Sequence, residues 1–482
     1  MVVVILTYFL LLLGISRLTA SRSSSNDVFF RGERQSNWML VAFGMIGASI
    51  SGVTFVSVPG MVMHSNMTYL QTCMGFILGY FVVAFVLLPI YYKRNLTSIY
   101  TILQDISPEA YKTGALFFII SKVVGTAAKF FVPCYIISDA TGISFPVTTI
   151  CLLALIWLYT RQGGIKTLVW TDTLQTVCML IALLLIMYEV VGALSGSSYG
   201  EESVSAIWSG VVNSPYSQIF EFSDWKSPQN FFKCFFAGIF IVIVMTGLDQ
   251  GMMQKNLTCK TLRSAQKDMC TYGFAFVPVN ALFLILGIML TMLFAKQGLP
   301  LPEKPDQLLP MFVESCSGRE FSILNSQFSI PPVLIFFTIG IISSSFTTVD
   351  STLTALTTSV CVDILGNDRE ETLRKRIHLL MAVLMVACTM LFGLVSTNSL
   401  LDTVYKLVSY TYGPLLGLFS CALLKCRVQR HYIHPLITCV AVTLICYLLD
   451  TLVPEFTGYH FGYELLLING LLTFVGLLIT KK

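Results

Sequence analysis

Charge is what this chain has least of. Only 12% of its 482 residues are Asp, Glu, Lys or Arg, while 55% are hydrophobic; a soluble domain carries roughly 25% charged residues. That shortage excludes a water-soluble enzyme and makes the chain a multi-span membrane protein. No Gly-rich loop ending in Gly-Lys-Ser/Thr occurs, which excludes a phosphate cradle and drive by ATP. The 14 Cys are scattered through apolar runs with no CxxC pair, so neither zinc nor a disulfide framework is expected. They read as small apolar fillers. The basic residues are dispersed, without a patch of interleaved aromatics, which excludes nucleic-acid binding. Met1 to Leu13 has no charged opening and no clear cleavage site, and reads as a first span, not a signal peptide.

What is present is a succession of apolar runs of bilayer length, about 20 residues each. They fall at 2–18, 38–58, 70–92, 114–138, 143–160, 168–193, 232–250, 269–295, 331–361, 377–396, 399–424, 433–453 and 461–480, about thirteen spans of an all-α membrane protein. With the first run starting outside, the inner loops hold most of the 30 Lys and Arg, among them Arg22, Arg31, Arg34, Lys255, Arg374, Arg427, Arg430, Lys481 and Lys482. The outer loops hold Lys226, Lys296, Lys304 and Arg319. The positive-inside rule then sets the N-terminus outside and the C-terminus in the cytoplasm. Two longer outer loops, 194–231 and 296–330, read as caps over the outer mouth.

The ninth run contains Ser343-Ser344-Ser345-Phe346-Thr347-Thr348-Val349-Asp350-Ser351-Thr352-Leu353-Thr354. On a helix, Thr347, Asp350, Ser351 and Thr354 are spaced i, i+3, i+4 and i+7 and share one face. An acid at membrane depth is costly and faces a partner, an ion path or water. A stripe of hard oxygens suits a small hard cation. The alternative is a helix whose hydroxyls bond back to their own carbonyls, with Asp350 in a structural pair. Two other runs are interrupted: the second by Gly44, Gly47, Ser49, Ser51, Gly52 and Pro59-Gly60, the seventh by Gly238 and Thr246-Gly247-Leu248-Asp249-Gln250-Gly251. Each would open a five-helix set. Interrupted helices at matching places in two halves point to an inverted-repeat transporter; close helix packing through glycine is the other explanation. Unwinding near Gly47 to Ile50 would free carbonyls beside the Thr347 face. Asp172, at the inner end of the sixth run, is the second acid of interest, with a solvated helix cap as its alternative. Lys122 and Lys129, seven apart on one face of the fourth run, should each meet an acid or an anionic solute.

The run Gly-Gly-Ile-Lys-Thr-Leu-Val-Trp-Thr-Asp-Thr-Leu-Gln at 163–175 resembles the signature of the sodium/solute symporter family, whose fold is LeuT-type. So do Gly47 to Gly60, Gly247 to Thr258 and Ser343 to Asp363. The resemblance implies a 5+5 inverted repeat with one extra helix before it and two after it: an N-terminal helix and loop at 1–36, repeats at 37–193 and 232–425 separated by an outer loop at 194–231, and two helices at 426–482. It implies Na+ as the coupling ion, at a common site formed by Gly47, Ile50, Ser344, Thr347 and Thr348. In members resembling the sialic acid symporters a second sodium site corresponds to Asp172, Thr347, Asp350 and Ser351. The family usually has a neutral small residue where Asp350 stands, and the added charge could alter the ion count or bring in a proton. Ser49, Ser51 and Thr54 resemble pocket hydroxyls of the sialic acid type. The sugar pattern fits poorly, with Thr54 at the pocket amide, Met245 at the gating Tyr, and Cys73 and Phe76 at polar positions.

The expected function is sodium-coupled symport of a small organic solute by alternating access, leaning to an anion such as a sialic acid or carboxylate held by Lys129 or Lys122. The rivals are a monosaccharide symporter, a proton-coupled carrier through Asp350, and a sensor that kept the fold. The sensor would need a signalling domain, and only Thr480-Lys481-Lys482 follows the last run. No covalent chemistry is implied, so the chain is not expected to be an enzyme. The expected partners are the solute and the bilayer, with no nucleic acid and no obligatory protein. The expected setting is the cell membrane, a bacterial inner membrane in particular.

Overall fold

The computed structural model describes residues 2–19, 25–196, 201–316, 332–393, 400–426 and 434–479. Among these residues the chain is helical, and extended pairing is confined to an isolated bridge between Ser36 and Cys259. Arg22, Arg319, Arg427, Arg430, Lys481 and Lys482, which entered the charge argument, lie outside the described residues. So does the Gly-Ser-rich start of the first outer loop.

The helices follow the apolar runs. We number them α1 (Val2–Thr19), α2 (Trp38–Ser49), α3 (Gly52–Ser65), α4 (Tyr69–Lys93), α5 (Pro108–Thr141), α6 (Phe145–Arg161), α7 (Gly163–Ser195), α8 (Phe231–Gly247), α9 (Gln250–Asn256), α10 (Leu262–Gln297), α11 (Pro332–Ile364), α12 (Glu371–Phe392), α13 (Leu400–Leu423), α14 (Pro435–Thr457) and α15 (Leu465–Ile479). Seven are long and apolar enough to cross a membrane, and nine spans qualify if each bent pair, α2 with α3 and α8 with α9, is one span. The shorter apolar helices α1, α6 and α15, together with α13, occupy the remaining runs.

The two interruptions are real bends. The axis turns by 63° between α2 and α3 and by 71° between α8 and α9. The glycines around them do different jobs. A Cβ on Gly238 would strike the Thr72 carbonyl and stand 3.3 Å from Gly75 Cα, so that residue lets α8 cross α4 closely. It does not mark the break. Gly164, with φ of +49°, separates α6 from α7, and the Phe29 ring lies where a side chain would begin.

From Gly340 to Ser359, α11 is buried throughout, and it packs chiefly against α6 and α7. At the periphery α14 presents Ile437, Val440, Leu444, Ile445, Leu448 and Leu452 outward, as a lipid-facing helix does. The described parts of the two longer loops fold back onto the helices: Glu221 N–H donates to Gln71 Oε1 at 3.1 Å, and Pro305 lies against Gly60. Two cations counted as loop residues are not in solvent. Arg374 is 1% exposed, its guanidinium 4.6 Å above the Phe29 ring. Lys255 is 1% exposed, inside the bundle on α9. Charge counting from sequence assigns them to loops because it cannot see that the surrounding chain folds over them.

Candidate functional site

The first bend begins where the helical ladder stops. Ile50 N–H still donates to the Ile46 carbonyl, Ile50 itself is extended (φ −87°, ψ 92°), and the ladder resumes with Phe55 N–H on the Ser51 carbonyl. The carbonyls of Gly47, Ala48, Ser49 and Ile50 therefore fall outside it. Ser51 caps α3, its Oγ accepting from Thr54 N–H at 3.4 Å. At the second bend Asp249 caps α9 in the same way, Oδ1 accepting from Met252 N–H at 3.0 Å. There the exposed carbonyls find tyrosines: Tyr91 donates to Gly247 O at 2.8 Å and Tyr100 to Leu248 O at 2.7 Å.

The hydroxyl stripe of α11 faces the first bend. Thr348 Oγ1 lies 3.5 Å from the Ala48 carbonyl and 3.1 Å from that of Ser344. Thr347 Oγ1 reaches Gln175 Oε1 at 2.9 Å and the Ser343 carbonyl at 2.8 Å. Ser344 Oγ and Ser351 Oγ donate back to the carbonyls four residues earlier, so the local back-bonding pattern accounts for part of the stripe. Gly47 packs on Thr176 of α7. Asp350 is fully buried; its Oδ2 accepts from Tyr159 OH at 2.7 Å, and its Oδ1 from Ser351 N–H at 2.5 Å and Ser351 Oγ at 3.1 Å. Asp172 is also fully buried, not a solvated cap, and its Oδ2 stands 2.5 Å from Lys255 Nζ. Thr354 Oγ1 has no hydrogen-bond partner among the described residues.

Beside the bends lies a cavity of about 100 Å³. Phe76, Ile241, Met245, Phe276, Val404 and Val408 are among its apolar lining; Ser49, Tyr80, Ser121, Thr126, Thr246, Tyr272, Thr348, Ser351 and Tyr412 bring hydroxyls to it. Ser49 Oγ and Tyr272 OH are in direct contact. Both lysines of α5 line the cavity but differ in state. Lys122 Nζ is 2.7 Å from Asp249 Oδ2, which also accepts from Tyr412 OH at 2.8 Å. Lys129 has no carboxylate within ion-pair distance among the described residues.

Residues 29–430 match the model of the sodium:solute symporter family. The chain belongs to that family. Among the chain's relatives, the sodium-coupled monocarboxylate transporter 2 of Danio rerio is 24% identical over 411 residues, covering 82% of this chain and 62% of that protein. The human sodium/iodide cotransporter is 23% identical over 407 residues, 82% and 60% of the two chains. The chain spans about three fifths of the length of the curated relatives it matches. A solved substrate-bound, outward-open Na+-coupled sialic acid symporter superposes with a TM-score of 0.81 at 16% identity, covering 99% of this chain and 96% of that one. A nucleobase-cation-symport-1 family transporter in a closed conformation superposes at 0.55 and 16% identity, covering 95% of each chain. The fold is thus the LeuT-type fold expected.

The structure brings Thr348 up to the α2 break, turns Thr347 towards Gln175, and places Asp350 and Asp172 in one electrostatic neighbourhood with Lys255. Ser49, Lys122 and Lys129 reach the cavity. Ser51 and Thr54 do not: both are buried at the start of α3, occupied in capping it. Sequence reasoning missed Tyr159, Gln175, Tyr272, Tyr412 and the roles of Asp249 and Lys255. Asp249 and Lys255 stand in the Gly247–Thr258 motif, six residues apart. The tyrosines carry no local signal, because each meets its partner from a distant helix.

Proposed function

We propose that this chain is a sodium-coupled symporter that imports a small organic anion across the cell membrane, N-terminus outside. The observation that carries the reading is Lys129, an ammonium without a carboxylate partner, turned into a cavity that borders Thr348 and the α2 break. A charge at membrane depth calls for an opposite charge, and a solute carboxylate supplies one. A cavity of about 100 Å³ with apolar side chains beside the lysines favours a carboxylate with a short hydrocarbon body over a bulkier sugar or sugar acid. A sialic acid or monosaccharide is therefore the less suited cargo. One relative, a sodium-coupled monocarboxylate transporter, supports this choice.

Sodium would sit between α2 and α11, held by the carbonyls of Gly47 and Ile50, by Ser344 and by the Thr347 and Thr348 hydroxyls. Broken helices provide such oxygens without adding net charge. An ion there ties the bent helix to α11 and favours the conformation that accepts solute. Its release inward then frees the bundle to return. The test is uptake of labelled monocarboxylates, sialic acid and monosaccharides into proteoliposomes, with external sodium or choline. A monocarboxylate should accumulate only with sodium. Equal uptake in choline, or selectivity for a sugar, would refute the reading.

A further inference from the structure

We propose that Lys255 is a tethered counter-cation that holds the carboxylate of Asp172, so that one sodium ion binds per chain and a second has no place beside it. The inference rests on the symport reading above and concerns only its ion count.

Asp172 and Lys255 are 0% and 1% exposed in their side chains and 2.5 Å apart. A cation that touched Asp172 Oδ2 would need the space the ammonium fills; Oδ1 has no hydrogen-bond partner among the described residues, but it belongs to the same carboxylate, whose charge the ammonium already offsets. The lysine is not free to drift away. Its backbone carbonyl accepts from Thr258 N–H at 3.0 Å and Thr258 Oγ1 at 2.7 Å. Its neighbour Gln254 bridges to Phe30 O at 2.8 Å and Thr358 Oγ1 at 3.0 Å. α9 therefore delivers the ammonium from a short helix pinned on both sides. The other acid is engaged too, since the oxygens of Asp350 already accept from Tyr159 OH, Ser351 N–H and Ser351 Oγ.

Charge leads to the same count. Counted as carboxylates, Asp172 and Asp350 contribute two negative charges to a region without solvent exposure. Lys255 supplies one positive charge. A single sodium beside Thr347, one helical turn from Asp350, supplies the other and leaves the set neutral. A second sodium would leave an uncompensated positive charge in a low-dielectric interior, which is strongly unfavourable.

Equilibrium binding of 22Na+ to the purified full chain in nanodiscs tests this without knowledge of the solute. The wild type should bind one sodium ion. Lys255→Met should bind two, because Asp172 is then open to an ion, and Lys255→Arg, which keeps the charge, should remain at one. Lys255→Gln carries the same expectation as Lys255→Met and serves if that variant does not fold. Two ions on the wild type, or one on a monodisperse Lys255→Met or Lys255→Gln, would overturn the inference and leave sodium coupling intact. No sodium binding by the wild type would overturn it together with the symport reading.

Discussion

Neutralising the two cavity lysines should produce opposite pairs of effects. Lys129→Met removes the ammonium that has no carboxylate within ion-pair distance among the described residues. A hydrogen bond to a charged group contributes about 1.5–3 kcal/mol, so the apparent affinity for the anionic solute should fall about ten- to hundredfold. The empty carrier should become more heat-stable, because an unpaired charge has left the interior. Lys122→Met does the reverse. It leaves Asp249 buried without its ion-pair partner, with Tyr412, its own cap hydrogen bond and the more distant Lys129 charge around it. Breaking a buried pair from one side costs about 3–5 kcal/mol, and the 17% exposure of the Lys122 side chain places the loss at the lower end. Lys122→Met with Asp249→Asn should recover most of that stability, since the orphaned charge is gone. Sodium-dependent uptake and fluorescence-detected thermal unfolding read the two quantities separately. Equal losses of affinity in Lys122→Met and Lys129→Met, with no difference in heat stability, would refute the assignment of Lys129 as the solute's partner.

Two further outcomes follow from particular contacts. Thr348→Ala should raise the sodium concentration for half-maximal uptake about tenfold, by analogy with losing a contact to a charged group, while Thr348→Ser keeps the oxygen and should stay near wild type; sodium activation curves decide it. Gly238→Ala should lower stability by about 1–3 kcal/mol through overpacking against α4, visible as an earlier thermal transition, with the sodium dependence unchanged.

The parts of this architecture that were legible in the sequence are those with local causes. Hydropathy places the spans because a backbone in lipid must satisfy itself within a helix. The bends are marked by residues that cap or free the chain, Ser51 and Asp249 among them. The α11 stripe is legible because i, i+3 and i+4 positions meet on one face. Contacts made at a distance left no such trace. Tyr159 reaches Asp350 across 191 residues, and Lys255 meets Asp172 from a segment that charge counting assigns to a loop. Ser51 and Thr54 show the opposite error. Their hydroxyls looked available for a solute, but a helix that restarts inside the membrane uses them for its own first turn.

The pairing of Lys255 with Asp172 bears on how the bilayer's electrical field acts on the cycle. Lys122 cancels Asp249, and in the empty carrier Lys255 and Lys129 offset Asp172 and Asp350. Loading one sodium and one monovalent anion changes nothing in that total. Both the empty and the filled forms would then cross between orientations without moving net charge. Uphill import would draw on the ion's concentration ratio alone, indifferent to the voltage across the membrane.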